Sequence, residues 1–413
     1  MTVPRFLPLY LGFAAAYLLS YVYRTVNAVI SPELVSALGI NASSLGLLTS
    51  AYFVAFAAMQ LPAGMLLDRF GPRRVEPVLL VLAGLGALAF AASNDLAGLA
   101  SARALIGAGV AVCLMAPLKG IAAWYPAERH ASLAGWIMVA GGIGALLTTA
   151  PLAAALWFLS WRAIFVVLAA ATFAAALWIF FVVPDTARSQ RVSGWQQQWA
   201  GVRSVFRNAR FWWIAPLGAI SMGSFMAIQG LWAVPWLMEV DGYTRTTAAD
   251  HLLLLGIVVL AAYFGLGAFS TALARRGIGA RHLYAFGFGL HALMLAAIVT
   301  RTTPSTYFAW ALYGFGSSVN VLGFTLLSEG FPPELTARAN TALNLLMFSC
   351  SFAMQWGIGI VVDASRAAFG ADLAGGLRIA FSLVLAAEAL ALAWFALGWR
   401  RHANAAPLAS VTA

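Results

Sequence analysis

The sequence predicts an all-α integral membrane protein of about twelve transmembrane helices. Three observations carry this. Of 413 residues, 62% are hydrophobic and only 9% charged, with a mean hydropathy of +0.87, whereas soluble domains carry about 25% charged residues. Apolar windows of about 20 residues, the length that crosses hydrocarbon, recur along the whole chain. The arginines gather in alternate loops between those windows. Helix is the expected state because a span in lipid must satisfy its own backbone hydrogen bonds.

The windows fall near 7–29, 44–67, 76–95, 97–124, 132–157, 161–183, 210–238, 250–274, 283–301, 304–330, 337–362 and 376–399. The first does not read as a cleavable leader, since it is long and Ser20, Arg24 and Asn27 interrupt it without a small-residue cleavage site. One set of loops holds Arg69, Arg73, Arg74, Arg129, Arg188, Arg191, Arg203, Arg207, Arg275, Arg276, Arg281, Arg338, Arg400 and Arg401. The opposite set holds Arg162, Arg245, Arg301, Arg366 and Arg378. The positive-inside rule then predicts a multi-pass protein of the cytoplasmic (inner) membrane with both termini in the cytoplasm. The net charge of +10 follows from these loops and is no nucleic-acid signal. Cys113 and Cys350 lie inside spans and read as buried thiols, not a disulfide framework.

A polar stretch, 184–209, divides the spans into bundles 1–183 and 210–399, with a cytoplasmic tail 400–413. Within the stretch Trp195, Trp199, Val202 and Phe206 recur at helical spacing. An amphipathic helix on the inner membrane surface fits that stripe, and a solvated linker is the other reading. The halves read as diverged copies. Tyr125-Pro126-Ala127-Glu128 is echoed by Phe331-Pro332-Pro333-Glu334, a separation of 206 positions. The same offset carries Arg69 onto Arg275 and Gly71 onto Gly277, but Asp68 onto Ala274. Parallel repeats with a ligand site near the midplane between them are a transporter arrangement.

Between the second and third windows stands Gly64-Met65-Leu66-Leu67-Asp68-Arg69-Phe70-Gly71-Pro72-Arg73-Arg74. A carboxylate at this place pairs with arginines of its own loop or with helix ends of the other bundle. Pairing in only one conformation biases the equilibrium between conformations. Gly64 permits close helix approach and Gly71 a tight turn. The plainer reading is a topological anchor with snorkelling arginines.

This hairpin resembles the signature of the major facilitator superfamily. Leu99-x-x-x-Arg103-x-x-x-Gly107-x-Gly109 is similar to that family's fourth-helix motif. The resemblance covers the whole chain and implies two pseudo-symmetric six-helix bundles rocking about a central cavity. It implies that helices 1, 4, 7 and 10 line the cavity and that helices 3, 6, 9 and 12 are peripheral. It also implies a conformational latch made of Gly64, Asp68, Arg69, Gly71, Arg73 and Arg74.

Arg24 is the sharpest single residue. It shares one helix face with Ser20 and Asn27, and ionisable groups at such depth face a cavity or a partner. Tyr21-x-x-Arg24-x-x-Asn27-x-x-x-x-Pro32 resembles the first helix of the family's organic-anion branches, the organophosphate and anion:cation symporters. There such an arginine binds the anionic group of the substrate. Snorkelling to the outer interface is the competing reading. The offset of 206 maps Arg24 onto Gly230, so the second cation of organophosphate carriers is missing. That favours a monocarboxylate over a phosphate ester. Gln229, Trp232 and Trp236 offer an amide and flat walls, or else plain packing.

Arg103 is expected to contact substrate or take part in coupling, or to bond backbone carbonyls of a neighbouring helix. Lys119, the sole lysine, snorkels or pairs with a loop acid. Tyr52 is a candidate hydrogen-bond donor of the cavity. Asn320, with Ser317 and Ser318, places polar groups on helix 10, while Asn340, Asn344, Ser351 and Gln355 read as glue on helix 11. No Asp or Glu stands mid-span in helices 1, 4, 7 or 10, and Tyr23 occupies the position where the anion-symporter branch often has an acid. His291 and Glu388 fall on the peripheral helices 9 and 12. Protons are the candidate coupling ion, with uniport and anion exchange left open.

The expected function is a monomeric secondary transporter that moves a small carboxylate-type anion across the bilayer by alternating access, with no cofactor and no enzymatic step. A proton-coupled exporter of the same fold is the alternative. Helix 5, glycine-rich at Gly141-Gly142-Ile143-Gly144, lacks the Gly-Pro-x-x-Gly-Gly pattern of such exporters. A transporter-like sensor or a membrane enzyme is the third reading. His130, His251, His282, His291 and His402 are too scattered for a metal site, and no phosphate-binding loop occurs.

Overall fold

The structure, a computed structural model, describes residues 6–185, 203–331 and 333–402. The chain divides into two compact units, Met1–Ser193 and Gly194–Ala413. The first holds α1 (Phe6–Leu38), α2 (Ala42–Phe70), α3 (Pro72–Ala92), α4 (Leu96–Gly109 and Met115–Trp124), α5 (Ala127–Leu147 and Ala150–Ala155) and α6 (Trp161–Val182). The second holds α7 (Ala209–Ala227, Ile228–Trp232 and Ala233–Glu239), α8 (Arg245–Arg275), α9 (Ala280–Thr300), α10 (Thr306–Ser317 and Asn320–Gly330), α11 (Pro333–Phe369) and α12 (Leu373–His402). Nine of the described helices are long and apolar enough to cross a membrane. With α1, α4 and α5 they account for the twelve predicted windows. Trp195, Trp199 and Val202 of the predicted amphipathic stripe lie outside the described residues, as does the chain from residue 403 onward.

The predicted hairpin loop shrinks to one residue. α2 runs through Arg69 and Phe70, and α3 begins at Pro72, so only Gly71 stands between them. Its φ of 75° is left-handed, a backbone that glycine takes without a Cβ penalty. Pro72 starts α3 well because the first turn needs no N–H from it. Asp68, Arg73 and Arg74 are therefore helical residues, not loop residues.

Four helices are interrupted where the apolar windows run on. α5 breaks at Thr148–Thr149. α4 breaks at Val110–Leu114 and α10 at Ser318–Val319. The repeat offset of 206 superimposes these two breaks, so the second half copies the first in geometry as well as in sequence. α7 widens to a π-turn at Ile228–Trp232. Pro235 follows it and has no N–H to give to the preceding turn.

Glycines set the tightest contacts. In the first unit Gly107 of α4 faces the Tyr52 backbone of α2, while Gly109 faces Leu79 and Ala83 of α3. The fourth-helix motif is thus a small-residue seam against two neighbours. Gly144 of α5 meets the Leu18 backbone of α1 and Gly141 meets Tyr17 and Tyr21. In the second unit Gly223 of α7 sits on Cys350 and Ser351 of α11, and Gly316 of α10 on Gly287 and His291 of α9. Gly64 departs from expectation. A Cβ placed there meets no atom within 4 Å, so it makes no close helix approach in this structure.

These contacts predict opposite outcomes for two substitutions. Gly144→Val drives side-chain atoms into the α1 backbone and is expected to cost about 1–3 kcal/mol by overpacking. Gly64→Ala removes a mid-helix glycine and is expected to be neutral or to gain about 0.5–1 kcal/mol. Melting of the two purified variants beside the parent checks both, and equal losses would contradict the packing described.

Candidate functional site

Tyr17, Tyr21 and Arg24 are spaced by four and three residues, so they share one face of α1. Arg24 is buried, at 8% exposure. Its guanidinium carbon lies 4.5 Å from the centre of the Tyr21 ring and 5.4 Å from that of Phe56, and it also meets the Tyr52 hydroxyl. The side chain is enclosed by aromatic groups of α1 and α2 instead of reaching for an outer interface. Cation–ring contacts of this kind contribute about 0.5–2 kcal/mol each, more where water is excluded.

Tyr52 is fully buried and donates to the Ser20 carbonyl at 3.4 Å. Over the same Tyr52 ring, at 5.2 Å, lies the guanidinium of Arg103. Arg103 is fully enclosed and its Nη1 donates to the Tyr23 carbonyl at 2.7 Å. Of the two readings for Arg103, the backbone bond to a neighbouring helix is present. Its Nε and Nη2 have no hydrogen-bond partner among the described residues, so donor capacity is left over. One tyrosine thus faces two buried cations, an arrangement that favours negative charge nearby.

α1 is held to its neighbours on every side. Asn27 Nδ2 donates to Thr49 Oγ1 of α2 at 3.0 Å. Thr25 bonds Thr148 at the end of α5 at 2.6 Å, and Tyr23 bonds Thr172 of α6 at 2.9 Å. Asn27 therefore works as an interhelical tie in this structure, with its Oδ1 still unbonded among the described residues. Sequence reasoning missed Glu76, which is fully buried on α3 beside Cys113 of α4. Taking the hairpin as a loop put residue 76 at the membrane boundary. The signal available was Gly71-Pro72, which starts the helix early enough to enclose it.

The hairpin charges pair differently from expectation. Asp68 Oδ1 accepts from Lys119 Nζ of α4 at 2.6 Å, and the same Nζ donates to the Leu67 carbonyl at 2.7 Å. Arg73 and Arg74 meet Asp185, beyond α6, at 3.5 and 3.4 Å, and Arg73 Nε donates to the Phe180 carbonyl at 3.0 Å. Arg69 lies over the Phe70 ring at 5.1 Å. Asp68 is not paired with the arginines of its own hairpin. Because α2 stays helical to Phe70, its carboxylate turns towards α4, while the arginines ride on α3 towards α6. The acid that Lys119 meets is Asp68.

In the second unit Gln229 is partly exposed on the π-turn of α7. Trp232 donates to the Gln355 carbonyl of α11 at 2.9 Å, and Trp236 stacks on Phe381 of α12 with centroids 4.4 Å apart. Both tryptophan rings are buried within the second unit. Asn320 donates to Met222 Sδ at 2.8 Å and to the Tyr263 hydroxyl at 3.3 Å. Ser317 and Ser318 bond carbonyls of their own helix. On α11, Asn340 reaches Ser328 of α10 and Ser351 reaches Met226 of α7, the interhelical role expected of them. The structure thus gathers Arg24, Tyr52 and Arg103 in the first unit, while Gln229, Trp232 and Asn320 belong to the second.

Among the described residues, apolar helices in two repeated bundles, with arginines enclosed in the first, define a multi-pass membrane protein. The pattern of the Major Facilitator Superfamily matches residues 13–355, and the chain belongs to that family. It is similar to the hexuronate transporter of Escherichia coli (strain K12), 27% identical over 244 residues. That match covers 54% of this chain and 56% of the relative, so the chain spans about half the length of that relative. It is also similar to the chloramphenicol resistance protein of Pseudomonas aeruginosa, 29% identical over 329 residues, covering 76% of this chain and 71% of the relative. Among solved structures, a bacterial homolog to the human lysosomal transporter Spinster shares the fold with a TM-score of 0.77 at 18% identity, covering 97% of this chain and 98% of that one.

The Lys119–Asp68 contact yields a prediction of its own. Asp68→Asn and Lys119→Met each lower the melting temperature, and the double variant is expected to be no worse than Lys119→Met alone, with a coupling of about 1 kcal/mol for this half-exposed pair. Strictly additive losses would show that the two groups do not act together.

Proposed function

We propose that this chain is a secondary transporter that carries a small organic anion, a monocarboxylate of the sugar-acid type, across the cytoplasmic membrane by alternating access. The observation that carries the reading is the buried Arg24 guanidinium, set between the Tyr21 and Phe56 rings and the Tyr52 hydroxyl, with Arg103 over the Tyr52 ring. A guanidinium presents a planar fork to a carboxylate and stays charged. Tyrosine hydroxyls match sugar hydroxyls, and aromatic faces match the apolar face of a pyranose. The hexuronate transporter that the chain resembles supports the same substrate class. Glycine at position 230, where the repeat would place a second cation, favours one carboxylate over a dianionic ester. Asp68 and Lys119 act as a latch in this reading, made in one conformation and parted in another. The protein acts as a monomer with both termini in the cytoplasm.

Export of a drug or metabolite is the second reading, favoured by the similarity to the chloramphenicol resistance protein. Against it, α5 lacks the exporter glycine pattern, and its Gly141 and Gly144 are engaged in packing against α1.

Uptake of radiolabelled galacturonate and glucuronate into cells without their own hexuronate carriers tests the assignment. Loss of a charge-assisted hydrogen bond is worth about 1.5–3 kcal/mol, so Arg24→Ala is expected to weaken apparent affinity roughly 10- to 150-fold. Arg24→Lys is expected to restore part of it. An Arg24→Ala variant that takes up both acids normally would sink the role of Arg24. A raised chloramphenicol tolerance in overexpressing cells, with no hexuronate uptake, would turn the reading to export.

A further inference from the structure

We propose that His291 of α9 and Glu388 of α12, closed over by Ser224 of α7 and Tyr313 of α10, form a proton-binding site inside the second unit. Both side chains are at most 1% exposed, and His291 Nε2 lies 3.2 Å from Glu388 Oε1, an ion-pair distance at which neither Nε2 nor Glu388 Oε2 makes a hydrogen bond among the described residues. Nδ1 of the same ring is 2.8 Å from the Tyr313 carbonyl. A carbonyl only accepts, so Nδ1 carries a hydrogen and donates it. In the neutral imidazole Nε2 then presents a lone pair. A bare Nε2 beside an ionised Oε1 would set two lone pairs against each other in a water-free bundle. One proton on either atom removes that conflict, giving neutral imidazole with carboxylic acid, or imidazolium with carboxylate. Both forms are neutral overall. Taking the proton away leaves a net negative charge enclosed among helices, and adding a second leaves a net positive one. Each is costly unless the surroundings change.

The surroundings are arranged to register that change. Ser224 Oγ bonds both the Ser221 carbonyl and Glu388 Oε1. With one hydroxyl hydrogen it donates to one of them and accepts or yields at the other, so its orientation follows the state of Glu388. The Tyr313 ring stacks on His291 with centroids 4.0 Å apart and planes 20° from parallel. Gly316 of α10 lies against the His291 backbone. Four helices therefore meet at one proton. The titratable group that faces the pair from α10 is the Tyr313 phenol, while α7 contributes Ser224 and the Phe225 ring and α9 adds Phe288. Behind them α8 packs on α10 through Leu255 and Val259, and α11 packs on α7 through Cys350 and Ser351. Among the described residues no arginine or lysine is paired with Glu388. On α7, Ser224 stands five residues before Gln229 of the π-turn. Protonation at Glu388 thus acts on the helix that carries a candidate substrate contact.

Infrared difference spectra of the full chain in lipid nanodiscs, between light and heavy water, test the site without any substrate. The parent is expected to show a deuterium-sensitive carboxylic-acid carbonyl band that is absent in Glu388→Gln and displaced in His291→Gln. Glutamine copies the shape and hydrogen bonding of the protonated acid, and unchanged melting of Glu388→Gln confirms that it folds. Identical difference spectra for the parent and Glu388→Gln would overturn the site and leave an inert structural pair. A consequence for coupling rests on the transport reading above. In proteoliposomes, Glu388→Gln is expected to keep galacturonate exchange but to lose at least about tenfold of the accumulation driven by a pH gradient. If the parent itself moves no galacturonate, the substrate reading fails while the infrared band still decides the proton site.

Discussion

The hydrogen bond from Arg103 to the Tyr23 carbonyl is the contact on which the first bundle depends. A guanidinium enclosed among helices is costly unless its donors are used. Arg103 meets part of that demand, through Nη1, by gripping the backbone of α1 one residue before Arg24. The same residue of α1, Tyr23, gives its hydroxyl to Thr172 of α6. Thr25 and Asn27 extend the grip to α5 and α2. The result is a helix that cannot rotate without breaking bonds to four neighbours. Arg24 therefore projects from a fixed platform, which is what a binding group needs if its charge is to meet a ligand in one orientation.

The two buried arginines divide the work. Arg103 spends its best donor on structure, whereas Arg24 lies among rings that supply electron-rich faces. Tyr52 connects them, since its ring faces one guanidinium and its hydroxyl the other. The second bundle carries its buried charge differently, as an acid set against an imidazole, Glu388 and His291. The repeats are thus alike in backbone, down to matching breaks in α4 and α10, yet each half has its own polar chemistry. The lost acid at Ala274 shows the same divergence at the hairpin.

The fold was legible because it is written in composition and period. Twelve apolar windows and alternate basic loops dictate helices, and the family motifs stand at fixed places among them. Arg24 and Arg103 were legible as well, since a charge within an apolar window has few explanations. What escaped was everything decided by direction. Trp232 and Trp236 share the helical face of a plausible cavity wall, yet both rings turn into their own bundle. Asn27 is equally polar whether it meets a ligand or Thr49. Asp68 was expected to meet the arginines of its own loop or helix ends of the other bundle, but a continuous helix aimed it at Lys119 of α4. Glu76 was hidden by a loop that proved to be one glycine long. Helix breaks were invisible because a hydropathy window averages across them.

The break at Val110–Leu114 gives α4 a joint in its middle. Above it, Arg103 is fastened to α1; below it, Lys119 is fastened to the end of α2. A continuous rod would transmit any displacement of Lys119 directly to the arginine. The interrupted helix instead changes its turn between them, so each half is registered to its own neighbour, the upper to α1 and the lower to α2, by separate bonds.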